Sequence, residues 1–211
     1  MTTEHVSIVF QIIVFLFAIS LHESAHAWMA WRLGDPTARM LGRVSLNPLR
    51  HIDPIGTVLL PALALLYHFP MIGWAKPTPV NTANFKNRMR DDVLTSVAGP
   101  ASNFLLAVVS IIALRLIWAW FGAIPGAEPL TILLLMSMYI NVLLGVFNLI
   151  PVPPLDGSHV VRHLLPAGAL RIYDRLGVFG LLLLFLAGGP VIGTCARFIQ
   201  GLLVSTFLKG M

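Results

Sequence analysis

The pentapeptide His-Glu-Ser-Ala-His at residues 22–26 lies inside an apolar run, and this placement constrains the fold more than any other feature. The run from Val6 to Leu33 carries only two charged side chains, one of which is Glu23. About 20 consecutive apolar residues predict a helix that crosses a membrane. His22 and His26 are four residues apart and share one helix face, so both imidazoles can bind one zinc ion while Glu23 polarises a water molecule.

The composition predicts an all-α polytopic membrane protein. Apolar residues make up 57% and charged residues 11%, against about 25% charged in a soluble domain. The net charge of +5 does not indicate a nucleic-acid partner, because the basic residues cluster in loops between apolar runs. Cys195 is the only cysteine, which excludes an internal disulfide and a thiolate zinc cluster. The length of 211 residues fits a single domain over residues 1–211.

The apolar runs differ in length. The long ones are Val6–Leu33, Asp92–Phe121, Leu130–Ile150 and Leu176–Leu208, the last broken at Gly188, Gly189 and Pro190. The run Ile55–Phe69 has only about 15 residues, which is short for a crossing helix. The proline- and glycine-containing stretch Pro70–Asn87 favours extended or hairpin structure. We therefore expect about 4–6 apolar helical segments, with a re-entrant or short β-like segment after the second run.

The distribution of Lys and Arg predicts the orientation. Arg32–Arg50 has four, Lys76–Arg90 has four, Arg162–Arg175 has three, and Gly122–Pro129 has none. If Ile55–Phe69 enters the bilayer and returns, all the basic loops are cytoplasmic, as the positive-inside rule requires. This interpretation places the residue 22–26 motif toward the cytoplasmic side of the membrane.

A catalytic zinc needs a third protein ligand besides the two histidines. Asp156 is the best candidate, because it follows a proline-rich break and precedes Gly157, and broken backbone at membrane depth is tolerated where it lines a cavity. Asp53 is the second candidate. The remaining candidates are weaker: Asp91 and Asp92 are typical of a helix start, and His159 and His163 are typical of interfacial residues.

Four motifs give the sequence a resemblance to the site-2 protease family of intramembrane zinc metalloproteases. They are HESAH at 22–26, NPLRHIDPIGT at 47–57, GPASN at 99–103 and FNLIPVPPLDG at 147–157. The chain resembles the compact bacterial and archaeal form, without PDZ or CBS domains. The resemblance therefore implies a multi-pass protein of a prokaryotic cell membrane.

The same resemblance implies roles for individual residues. His22, His26 and Asp156 would bind one zinc ion per chain, Glu23 would be the general base, and Asn148 would line the site and donate to the developing oxyanion. The reaction would be hydrolysis of peptide bonds in or near transmembrane segments of a substrate protein or peptide, within the lipid bilayer. The sequence gives no indication of the oligomeric state.

Other features support narrower expectations. The stretch Trp74–Asn81 could present backbone to an unwound substrate by β-augmentation. Gly99, Asn103 and Asn141 are typical of close helix packing and interhelical hydrogen bonds. His51 and Asp53 could form a loop hydrogen-bond pair or a gate, and the pair is the favoured expectation. Two other functions stay open: a catalytically silent relative that binds membrane helices, and a metal transporter, since intramembrane His and carboxylates also mark ion paths.

Overall fold

The computed structural model describes residues 3–67, 74–121 and 128–209, and its regular elements are helical. The α-helices are α1 (Thr3–Arg32), α2 (Thr37–Met40), α3 (Leu60–Leu66), α4 (Arg88–Phe121), α5 (Glu128–Asn148), α6 (Gly157–Arg162), α7 (Ala167–Ala187) and α8 (Gly189–Phe207). Short 3₁₀ turns occur at Pro48–Arg50 and Thr82–Asn84, and a π-helical turn at Pro54–Leu59. Within these ranges no residue forms a β-strand.

Four helices of the described ranges are long and apolar enough to cross a membrane. The candidate spans are Ile8–Arg32, Arg88–Trp120, Glu128–Asn148 and Gly189–Phe207, with lengths of 25, 33, 21 and 19 residues. An α-helix rises 1.5 Å per residue, so each can traverse much or all of a hydrocarbon core about 30 Å thick. The prediction of an all-α polytopic membrane protein with 4–6 apolar helical segments is confirmed.

The C-terminal region contains two helices where one interrupted apolar stretch was predicted. The predicted break is confirmed, because α7 ends at Ala187 and α8 begins at Gly189 with Pro190 in its first turn. The helix α7 begins at Ala167, before the apolar stretch that starts at Leu176. The first turns of α7 carry charged side chains, so a search for apolar runs leaves them out. The basic segment Arg162–Arg175 is therefore largely helical.

The second apolar run folds into the π-helical turn Pro54–Leu59 followed by α3. The Asp53 carboxylate caps this turn by accepting from the amides of Ile55 (3.0 Å) and Gly56 (2.7 Å). The re-entrant path stays a prediction, because Phe69, Pro70 and Gly73 lie outside the described residues. Residues 74–81 form neither helix nor strand.

The chain forms two compact units, and α1 and α4 contribute to both. The first comprises residues 1–18 and 100–211. Its apolar core is built from α4, α5 and α8 and contains Ala107, Ile111, Met138, Val142 and Ala196. Two polar contacts join α4 to α5, namely Asn103 Nδ2 donating to Asn141 Oδ1 (2.8 Å) and Ser110 Oγ to Ser137 Oγ (2.8 Å). The expected interhelical role of Asn103 and Asn141 is confirmed.

The second unit comprises residues 19–99. Its irregular segments are tied to α1 by a buried polar cluster, in which the Ser24 hydroxyl and His51 Nε2 both donate to the carbonyl oxygen of Ser45. His51 is fully buried. The expected pairing of His51 with Asp53 is wrong, because His51 bonds to Ser45 while Asp53 caps the following turn. Single domain organisation over residues 1–211 stays a prediction.

Candidate metal centre

His22 and His26 lie on the buried face of α1, each 8% exposed. Their Nε2 atoms are 3.0 Å apart, and the rings meet edge to face with centroids 4.6 Å apart. The i, i+4 spacing brings both imidazoles to the same point, as the sequence predicts.

A main-chain carbonyl sets the tautomer of His26. The Nδ1 atom of His26 lies 2.7 Å from the carbonyl oxygen of Thr95 on α4. A carbonyl can only accept, so Nδ1 carries the proton and Nε2 presents its lone pair toward His22. Metal-binding histidines are characteristically oriented by such a bond from the second ring nitrogen.

Gly99, one turn after Thr95 on α4, allows the two helices to approach at the histidines. A Cβ placed at Gly99 would lie 2.3 Å from His26 Nε2 and 2.7 Å from His22 Cε1. Only hydrogen fits there, so this glycine is a contact of the imidazoles as well as a packing residue.

The two imidazoles fit zinc. Two nitrogen ligands on tetrahedral zinc, at about 2.05 Å each, lie about 3.3 Å apart, within a few tenths of an ångström of the separation here. A lone pair on His26 Nε2 that faces a second Nε2 at 3.0 Å is favourable only with a cation or proton between them. A buried nitrogen pair with its tautomer set in this way is a donor set that can hold a metal ion.

Glu23 lies beside the histidines on α1 and is half-buried. Its Oε2 accepts the backbone N–H of Thr78 at 2.8 Å, and its carbonyl oxygen accepts the Thr78 hydroxyl at 3.0 Å. The carboxylate therefore has one oxygen bonded to the main chain, and Glu23 neighbours the two histidines on α1.

Asp156 belongs to the first unit and precedes α6 at the end of a proline-rich loop. Gly157 is required at the next position, because a Cβ there would lie 2.2 Å from the carbonyl oxygen of Leu149. The Tyr173 hydroxyl on α7 donates to the carbonyl oxygen of Pro151 at 2.9 Å. This loop, which contains a cis Pro153–Pro154 bond, is thus held at both ends by its own unit.

The other predicted residues have defined places. Asn148, at the end of α5, donates from Nδ2 to the carbonyl oxygen of Leu144 at 3.0 Å. Asp91 lies in the first turn of α4 and accepts from the amide of Asn87 at 2.9 Å, as expected for a helix start. Asp53 is a cap, as described above.

Two contacts of the site were not predicted from the sequence. Thr95 and Thr78 lie 69 and 55 residues from the side chains they bind. The contacts to the two side chains use main-chain atoms, which nearly every residue type carries, so no residue-type signal marks them. Pro77 and Pro79 on either side of Thr78 are the one hint that the amide between them has a dedicated partner.

Comparison with known proteins identifies a family and several relatives. The model of Peptidase family M50 matches residues 117–186. "Putative zinc metalloprotease YwhC" of Bacillus subtilis is 40% identical over 159 residues, which cover 74% of this chain and 69% of that protein. No solved structure gives a significant match.

Two mycobacterial relatives extend the comparison. "Putative zinc metalloprotease Rip2" of Mycolicibacterium smegmatis is 32% identical over 72% of this chain and 56% of that protein. The protein of the same name from Mycobacterium tuberculosis is 31% identical over 82% of this chain and 64% of that protein. The aligned part thus spans between about half and about two thirds of the length of these relatives.

The chain belongs to peptidase family M50, the site-2 protease family. With its apolar helices, it is an integral membrane protein of that family.

Proposed function

We propose that this chain is a zinc metalloprotease that hydrolyses peptide bonds in or near the transmembrane segments of other proteins. One observation carries the proposal: two buried imidazoles with Nε2 atoms 3.0 Å apart, next to a glutamate, on a helix apolar enough to cross a membrane. The family and the names of the relatives support it.

We assign the zinc ligands to His22, His26 and Asp156. The histidines supply two neutral nitrogen donors, and Asp156 would complete the three protein ligands typical of a catalytic zinc. Asp53 is the weaker candidate, because its Oδ1 already accepts two backbone amides. Zinc, when bound, supplies Lewis acidity toward the scissile carbonyl and makes water a nucleophile near neutral pH.

Glu23 performs the proton transfers. Its carboxylate takes a proton from the attacking water and returns it to the leaving amine, so that acyl transfer is completed without a charged amine anion. Oε2 is bonded to the Thr78 amide, and Oε1 is the oxygen assigned to the proton.

Asn148 is assigned as a neutral donor to the carbonyl oxygen as negative charge develops on it. One hydrogen of its amide nitrogen is bonded to Leu144, and an amide nitrogen carries two. The second hydrogen is the one assigned to the substrate.

The segment 74–81 is the proposed support for an unwound substrate. The amides of every second residue, Trp74, Lys76 and Thr78, donate hydrogen bonds to other parts of the same unit. This alternation is typical of extended backbone. The opposite edge then belongs to Ala75, Pro77 and Pro79, of which only Ala75 has an N–H. A substrate strand would be bound mainly through its own N–H groups, which donate to carbonyl oxygens on this edge.

Purified protein in liposomes with a transmembrane substrate peptide tests the proposal. Cleavage should depend on zinc and vanish in Glu23→Gln, which keeps side-chain size and loses basicity. Zinc content of that variant should equal the parent's. Zinc binding without cleavage by the parent would favour the silent relative, and zinc flux into the liposomes would favour the transporter.

A further inference from the structure

Residues 74–84, here called the strap, run beside the second half of α1 and are anchored at both ends within their own unit. At the first end, the Trp74 amide donates to the carbonyl oxygen of Gly56 at 3.1 Å and the Lys76 amide to that of His51 at 2.8 Å. His51 is fully buried, so this end is attached to a fixed part of the unit.

The second end is held by Asp35, whose side chain is fully buried. Its Oδ2 accepts the Asn81 amide at 2.7 Å, and its Oδ1 accepts Asn84 Nδ2 at 2.7 Å and the Thr37 hydroxyl at 2.5 Å. Burial by itself raises the pKa of Asp35, but these hydrogen bonds outweigh it and hold the pKa below its ordinary value. Asp35 is therefore an ionised anchor at neutral pH.

Between the anchors, the strap delivers one amide to the Glu23 carboxylate. Pro77 and Pro79 have no N–H, so Thr78 supplies the only backbone donor between residues 76 and 80. That donor is 2.8 Å from Glu23 Oε2, and the Thr78 hydroxyl binds the Glu23 carbonyl oxygen at 3.0 Å. Two bonds from one residue fix both the backbone and the side chain of Glu23.

We propose that the strap is a positioning device for Glu23, with Thr78 as the positioning residue. A glutamate has three rotatable bonds, and a base must lie within hydrogen-bond reach of the proton that it removes. The hydrogen bond from the Thr78 amide to Oε2 restricts rotation of the carboxylate. Oε1 is then the oxygen that takes the proton. The inference rests on the proposed protease function, because it needs Glu23 to act as a base.

Substitutions at Thr78 separate the two bonds. Thr78→Ser keeps both, Thr78→Val keeps the amide and loses the hydroxyl, and Thr78→Pro loses both. The residue precedes a proline, so its backbone is already restricted to the extended region that proline accepts. We expect near-parent kcat for Ser, a loss of a few-fold for Val, and a loss of about 10-fold or more for Pro, the range for a bond to a charged group.

The kinetic constant that falls in these variants distinguishes a positioning role of Thr78 from a purely structural one. KM and zinc affinity should stay at parent values in all three variants, because both hydrogen bonds described for Thr78 go to Glu23. A residue that merely stabilised the fold would lower zinc binding and kcat together.

Amide hydrogen exchange gives a test that does not depend on activity. Residues 77–80 contain only the Thr78 and Val80 amides, so a peptide that begins a few residues earlier reports on Thr78 with few other amides. Glu23→Ala removes the acceptor, so Thr78 should exchange at least about 10-fold faster, while Glu23→Gln keeps an acceptor oxygen and should retain protection. The Asn81 amide, bonded to Asp35, is the internal control and should not change.

The outcomes are separable. Unchanged kcat in Thr78→Pro, or unchanged Thr78 exchange in Glu23→Ala, would overturn the inference while parent cleavage upheld the protease. A faster Thr78→Pro enzyme would show that the strap blocks Glu23, which also overturns it. Should Thr78→Pro fail to fold, the difference in kcat between Val and Ser and the exchange of the Glu23 variants decide. A parent protein whose cleavage is no greater than that of the Glu23→Gln control would refute the proposed protease function itself.

Discussion

Gly99→Ala should disable the metal centre without weakening its helix. The added Cβ would lie 2.3 Å from His26 Nε2, where an ordinary contact is about 3.4 Å or longer. The imidazole must therefore move by roughly 1 Å, whereas zinc ligands keep their distances within about 0.2 Å. Loss of an orienting contact typically costs 10–100-fold in zinc affinity, and displacement of a ligand itself should reach at least the upper figure, about 2.7 kcal/mol.

The assay is a zinc titration of metal-free protein in detergent against a chromophoric chelator. Gly201→Ala in α8 is the matched control, because a Cβ there meets no atom within 4 Å. Both variants gain the helix preference of alanine over glycine, about 0.5–1 kcal/mol, so poor helix formation cannot explain a loss in one of them. A zinc dissociation constant of Gly99→Ala within two-fold of the parent's would refute the packing argument.

Three further predictions follow from other parts of the molecule. Asp156→Ala should lower zinc occupancy in purified protein. Asp53→Ala should leave zinc occupancy unchanged and lower only the thermal midpoint, because it removes a helix cap. The reverse pattern would make Asp53 the zinc ligand instead of Asp156. In a background without the single cysteine, cysteines introduced at Asn84 and Gly126 should react with cytoplasmic and external reagents respectively, and external labelling of Asn84 would contradict the re-entrant path. The stability contributed by Asp35 should be complete above about pH 4 and fall as the pH drops through its lowered folded-state pKa, so Asp35→Asn should show a weaker acid dependence of its thermal midpoint than the parent.

The parts of the site predictable from the sequence are those that depend on local geometry. His22, Glu23 and His26 are found because helical periodicity fixes their faces within two turns. The capping role of Asp53 is also predictable locally, because an aspartate directly before a proline is typical of a helix N-cap. This pattern favours a cap over a zinc ligand at Asp53.

The parts that could not be predicted depend on which distant segments meet. The sequence of residues 74–81 contains no signal that one of their amides bonds to α1. The sequence of α4 likewise contains no signal that Gly99 faces the histidines. The early start of α7 was missed for another reason. Its first turns contain Arg171, Asp174 and Arg175, and a search for apolar runs registers only the membrane-like part of a helix.

The two contacts that orient the side chains of His26 and Glu23 come from the backbone, and this determines what a mutational scan would reveal. Thr95 binds His26 through its carbonyl, and its hydroxyl finds no partner among the described residues, so Thr95→Ala should be silent in activity. Thr78→Ala would likewise keep the amide that reaches Glu23. An alanine scan would therefore rank Thr95 as dispensable and Thr78 as a minor contributor, because Thr78→Ala loses only the hydroxyl bond, although main-chain atoms at both positions orient the two side chains. Replacing the peptide link with an ester at residue 78, which substitutes an oxygen for the N–H and keeps the side chain, is the chemistry that would make such a position visible.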